Sequence, residues 1–136
     1  MTKVYFTREI SKESILRLYK MLGIDLPGKV AVKVHSGEVG NQNFIKPEMF
    51  KDIVDYVKGT VVECNTAYEG ERDTTEKHLK AIKKHGWNDY YDFDLMDAEG
   101  PDMVLDIPNG KVIKQNYVGK NLKNYNSIDS CFKAPP

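Results

Sequence analysis

Val30-Ala31-Val32-Lys33-Val34-His35-Ser36-Gly37-Glu38-Val39-Gly40-Asn41, continuing to Pro47, passes from a β-branched run through a polar loop to a helix start. Val30, Val32 and Val34 alternate with Ala31 and Lys33, the period of a strand with one well-buried face. The run then turns into a loop of glycines and polar side chains. Pro47 suits the first turn of a helix, where its missing N–H removes no bond. Phe50, Ile53, Val54 and Val57 recur at helical spacing, Gly59 stops the helix, and a second strand begins at once over residues 60–65. A strand, a helix and a strand so closely joined predict a right-handed crossover between parallel strands. A second loop and helix follow. Asp73 with Glu76 three residues on resembles a capping box, the helix runs to about His85, and Gly86 closes it.

Outward from this centre the signals weaken. Residues 3–7 alternate enough to suggest a short first strand. Ser11 suits a helix N-cap before Ile15, Leu18, Tyr19 and Leu22, and Gly23 suits its end. Beyond Trp87, residues 102–107 and 111–118 form two strand candidates around Pro108-Asn109-Gly110, a hairpin signal. A short helix over 120–125 and a last strand over 128–132 complete the expectation. The fold class is α/β: a mainly parallel sheet built from successive βα units, with a C-terminal β-hairpin, in one domain over residues 1–136.

Composition narrows the function. The chain has 136 residues and a formal net charge of zero, so no global field draws in nucleic acid or an anionic membrane. No apolar run approaches the roughly 20 residues of a membrane span, and the N-terminus lacks an apolar segment of signal-peptide length. A cytoplasmic location is expected. Residues 88–107 carry acids and no bases while 111–133 are mostly basic, the pattern of solvated surfaces or of facing strands that neutralise each other. Cys64 and Cys131 stand alone, which suggests reduced thiols and no iron–sulfur cluster or structural zinc within this chain.

In open α/β sheets ligands bind beyond the carboxyl ends of the strands. The loop after the first core strand holds His35, Ser36, Gly37, Glu38, Gly40, Asn41 and Asn43; the next holds Cys64, Asn65, Thr66, Tyr68, Glu69 and Arg72. Gly37 and Gly40 let a ligand approach the backbone. His35 is a candidate proton shuttle or metal ligand, and equally a histidine bonded to loop backbone. Glu38 is the candidate acid–base partner, and His35, Glu38 and His78 are the candidate ligands of a divalent metal. Arg72 can clamp a carboxylate or phosphate, or pair with Glu69 or Glu76. Cys64 is a nucleophile candidate whose ordinary role is to pack as a small apolar residue. Tyr90, Tyr91 and Phe93 read as core or edge aromatics, with no interleaved bases for nucleobase stacking.

Residues 3–7 (Lys-Val-Tyr-Phe-Thr), 32–41 (Val-Lys-Val-His-Ser-Gly-Glu-Val-Gly-Asn), 65–72 (Asn-Thr-Ala-Tyr-Glu-Gly-Glu-Arg), His78 and His85-Gly86 together resemble the domain of unknown function 362 family. Its members are often labelled uncharacterised iron–sulfur centre proteins. The resemblance implies an α/β domain that often precedes a ferredoxin-like module, and hence a redox association. His35, Gly37, Glu38, Gly40, Asn41, Asn65, Thr66, Tyr68, Arg72 and His78 match the family pattern. Glu63-Cys64 stands where Asp-Thr is common, Ser36 where an aromatic is common, and Cys131 where a histidine is common. The family continues past this point into a glycine-rich stretch, so the chain reads as the N-terminal part of a larger family domain.

The expectation is a ligand- or metal-binding domain of a redox-associated cytoplasmic protein. His35 and Glu38 would act as catalytic groups, with Gly37, Gly40, Asn41, Asn65, Thr66, Tyr68 and Arg72 binding an anionic small molecule. The alternative is a non-catalytic interaction module that docks a ferredoxin-like partner or a second copy.

Overall fold

The computed structural model describes residues 3–119 and the backbone of 132–133. Helix α1 (Lys12–Leu22) starts from a reciprocal cap: the Ser11 hydroxyl accepts the Ser14 N–H, and the Ser14 hydroxyl accepts the Ser11 N–H, each at 3.1 Å. Two orphan donors of the first turn are thereby satisfied. Gly23, in the left-handed region at φ 63°, closes the helix. Strand β1 (Ala31–Lys33) follows, then a 3₁₀ turn (Pro47–Phe50) leading into α2 (Lys51–Val57) and strand β2 (Thr60–Glu63). Helix α3 (Thr75–Lys84), a second 3₁₀ turn (Trp87–Asp89) and the two-residue β3 (Asp94–Leu95) complete the second unit.

The three strands are parallel and lie in chain order, with Val32 opposite Val61 and Val62 opposite Asp94. The α/β class and the succession of βα units are therefore plain. In the region beyond, β4 (Pro101–Asp106) runs antiparallel to β5 (Gln115–Gly119), and β5 antiparallel to β6 (Phe132–Lys133).

Period-two alternation sends Val61 and Val62 to opposite faces of the parallel sheet. Val61 and Val34 pack with Val54 of α2, Ile82 of α3 and Trp87. The Trp87 ring meets Phe50 and Phe93 at centroid distances of 5.9 and 5.7 Å. On the other face Val62 and Met96 are fully buried and pack against Ala31 and Cys64, which gives Cys64 its ordinary apolar environment.

Several local expectations change. Residues 3–7 form no strand: Val4 and Phe6 are more than three-quarters exposed. Alternation alone does not hold a strand that has no neighbour among the described residues to complete a ladder. The N-cap of α3 is Thr74, whose hydroxyl accepts the Lys77 N–H, while Asp73 accepts from Gly70 and pairs with Lys77. Helix α2 ends on Lys58 in the left-handed region at φ 51°. Gly59 is required for a different reason, because a Cβ there would lie 2.6 Å from Val32 Cγ2. Strand β3, absent from the sequence reading, is too short and too acidic at Asp94 to show a periodic signal. The helix expected over 120–125, the start of the last strand over 128–131 and Cys131 lie outside the described residues. Among the described residues no helix is long and apolar enough to cross a membrane.

Candidate functional site

Because β1 and β2 are adjacent and parallel, the loops that leave them emerge at the same end of the sheet. Their side chains assemble in two layers around Arg72, which is only 2% exposed.

The inner layer is built on Glu63, the last residue of β2, whose side chain is 3% exposed. Its Oε1 accepts from Arg72 Nη1 at 2.8 Å, and its Oε2 accepts the Ser36 N–H at 3.0 Å. The same Oε2 lies 3.1 Å from Nε2 of His78, a fully buried residue in the first turn of α3. His78 Nε2 is also 3.0 Å from Ser36 Oγ, and its Nδ1 is 3.1 Å from Asn65 Oδ1. Asn65 in turn donates its backbone N–H to Asp97 and its amide to Thr75. The Ser36 carbonyl accepts the Trp87 indole N–H and lies 2.9 Å from His85 Nδ1. Every polar group here has a partner, as burial demands. Burial pushes the Glu63 carboxyl up, but hydrogen bonds from His78 and Ser36 outweigh it and hold it below the usual carboxylate range.

The outer layer faces solvent. Arg72 donates to Glu38 through Nε at 3.1 Å and again through Nη2. Nη2 also donates to the Tyr68 hydroxyl at 3.0 Å, which donates onward to Glu38 at 2.7 Å. The hydrogen bond from Arg72 draws the Glu38 carboxyl down to about 2 against the opposing effect of burial, with Tyr68 assisting. The bond to Glu38 pushes the Tyr68 phenol up. Burial lowers the Arg72 pKa, but Glu38 and Glu63 more than reverse this, and the guanidinium stays charged.

His35 completes the rim, and its hydrogen bonds conflict. Its Nδ1 accepts the Gly37 N–H at 3.0 Å, which assigns the ring proton to Nε2. That Nε2 lies 3.1 Å from Arg72 Nη2, a group that can only donate. Two donors therefore meet at the part-buried edge of the cluster, and the two N–H groups of Nη2 are already directed at Glu38 and Tyr68.

Loop geometry fixes this arrangement. Gly37 sits at φ 93°, and a Cβ on it would fall 2.6 Å from Phe44 Cγ. Gly40 at φ 88° closes a turn in which the Asn41 N–H reaches the Glu38 carbonyl at 3.0 Å.

Of the residues singled out in the sequence, His35, Glu38, Tyr68 and Arg72 are thus brought together, with Gly37 serving His35. Asn65 and His78 lie behind them in the inner layer. Thr66 braces the second loop, its N–H bonded to the Arg72 carbonyl and its hydroxyl to the Tyr68 carbonyl. Gly40 and Asn41 face a neighbouring cleft. The partners expected for Arg72 also change: the guanidinium pairs with Glu38 and Glu63, while Glu76 pairs with Lys80. Glu63 and Ser36 escaped the sequence reading as site residues. The available signal was an acid closing the apolar run Val61-Val62, since a carboxylate at a buried strand end needs a cationic partner.

As for a metal, the guanidinium occupies the point where His35 and Glu38 converge, and His78 is separated from them behind Glu63. Among the described residues no three His, Cys, Asp or Glu side chains gather as a metal-ligand set. Their present arrangement does not fit one.

Fold and cluster together define an α/β domain with a polar site at the carboxyl edge of its parallel sheet. The chain matches the family described as Domain of unknown function (DUF362) over residues 30–133, and it belongs to that family. No curated protein and no solved structure matches it.

Proposed function

We propose that this domain binds a small anion, a carboxylate or phosphate, at the outer face of Arg72. The observation that carries this reading is the meeting of two donors, His35 Nε2–H and Arg72 Nη2, at a part-buried edge where His35 is exposed. An oxyanion placed there accepts from both and relieves the conflict. The guanidinium already has a permanent counter-charge inside, from Glu63. Glu38, whose side chain is 36% exposed and carried on a glycine-bounded loop, then acts as the exchangeable carboxylate that the ligand displaces. In a reaction, His35 would be the group that passes a proton at Nε2, and Glu38 the group that leaves with the loop.

We also propose a redox-associated cytoplasmic setting, the redox association resting on the family resemblance alone. The alternative is a non-catalytic module docking a ferredoxin-like partner or a second copy.

Calorimetric titration of the full chain with inorganic phosphate and with malonate tests the proposal. Glu38→Gln removes the competing charge, so either anion should bind it more tightly than the parent, by about tenfold for a removed repulsion near 1.4 kcal/mol. His35→Ala should weaken binding. Anion affinity that falls in Glu38→Gln would overturn the reading. Stoichiometric zinc binding lost in both variants would replace the anion with a cation.

A further inference from the structure

The loop that carries Glu38 has a second face. From Gly40 to Glu48 it bounds an open cleft of about 400 Å³, whose opposite wall is the end of α3 (Lys84, His85, Gly86) with Tyr90. That volume lies within the range of small-molecule sites, about 300–1,000 Å³. In its wall Phe44 and His85 stack with centroids 4.2 Å apart and planes 23° apart. His85 is anchored from behind by the Ser36 carbonyl.

Donors dominate the lining. Lys46 sits 3.8 Å over the Phe44 ring and, among the described residues, makes only a long contact, 3.4 Å, with the Gln42 carbonyl. Among the described residues Lys84 makes no ion pair. The Asn41 Oδ1 accepts the Asn43 N–H at 2.8 Å, which leaves its NH₂ to donate elsewhere. Glu48 is the one carboxylate in the lining, so two ammonium groups against it leave a single unit of positive charge.

We propose that this cleft is a second binding site, for a flat aromatic carboxylate. The ring lies against Tyr90 and the edge of the stacked Phe44–His85 pair, since His85 and Lys46 cover the two faces of Phe44, and the carboxylate is held by Lys46, Lys84 and the Asn41 amide. One net positive charge matches a monoanion, and Glu48 disfavours a phosphate dianion. None of these residues hydrogen-bonds Arg72, so a ligand held by Lys46 and Lys84 is told from one at the arginine cluster by which variants weaken it.

Amide NMR of the isotope-labelled full chain, titrated with naphthoate, tests the assignment. Saturable shifts are expected at the Gly40, Asn41 and Gly86 amides. Lys46→Met and Lys84→Met, both surface changes whose spectra also report folding, should each weaken binding by about tenfold, the effect of one lost charge contact. Glu48→Gln should strengthen it, and inorganic phosphate, which reaches the Gly40 and Asn41 amides through the loop of Glu38, should leave the Gly86 and Tyr90 amides on the opposite wall in place. Three results would each overturn the proposal: equal binding of the neutral naphthyl alcohol, shifts confined to the surroundings of His35 and Arg72, or lysine variants that bind like the parent.

Discussion

Glu63→Gln is the sharpest test of the idea that Arg72 is held from within. The carboxylate gathers Arg72 Nη1 on one oxygen and the Ser36 N–H with His78 Nε2 on the other, all at 2.8–3.1 Å and almost wholly out of water. Glutamine offers one acceptor oxygen and one NH₂. Whichever way the amide turns, its NH₂ faces either the guanidinium or the Ser36 N–H, donor against donor. Removing one side of a buried pair costs about 3–5 kcal/mol, because the other charge is left uncompensated. Lys33, 3.9 Å from Glu63 Oε1, loses a weaker attraction as well. For a domain whose total stability is about 5–15 kcal/mol, that is a large fraction.

Urea unfolding followed by the fluorescence of Trp87, the only tryptophan in the chain, reads the change as a lower midpoint at unchanged slope. A cycle with Arg72→Met completes the test. Each single change should be costly, and Glu63→Leu with Arg72→Met should cost less than their sum, since an apolar replacement leaves neither charge stranded. If Glu63→Gln costs less than about 1 kcal/mol, or the double variant is additive within about 0.5 kcal/mol, Arg72 is not organised from the interior.

The remaining predictions concern the loop. Gly37→Ala should destabilise by about 1–3 kcal/mol, since φ 93° strains any side chain and Phe44 fills the space of the Cβ; a thermal melt at the parent temperature would contradict this. Glu38 titrates near 2 when folded against an ordinary 4.5, so its contribution is present above about pH 4.5 and is lost as pH falls through about 2. Discounted for an exposed carboxylate, it amounts to about 1 kcal/mol, and the difference in stability between the parent and Glu38→Gln should shrink over that window in acid titrations.

What the sequence conveyed was the strand-loop-helix repeat and the loops that carry the cluster, because buried valines at period two and a proline at a helix start act locally. It conveyed the wrong partners for Arg72. Glu69 and Glu76 are near it along the chain, whereas Glu38 is 34 residues away and is brought close only by the parallel pairing of β1 with β2. His78 looked like a metal ligand because its spacing from His35 says nothing about Glu63 standing between them. Ser36 was legible only as a loop residue. Its backbone N–H and carbonyl, which carry no sequence signal, join the inner carboxylate to Trp87 and His85.

The two carboxylates on Arg72 are unequal, and that inequality points to exchange at the outer face. A pair of unit charges 4 Å apart at an effective dielectric near 20 attracts by about 4 kcal/mol, enough for one carboxylate to keep a buried guanidinium ionised. Glu63 supplies this from the strand end, locked by Ser36 and His78. Glu38 repeats the service from a turn bounded by glycines, with its side chain partly in solvent. A ligand oxyanion that takes its place leaves the Glu63 pair intact, so the inner layer need not be rebuilt when the outer one changes. Displacing Glu63 instead would strand the Ser36 N–H and His78 together, a cost that no surface ligand recovers.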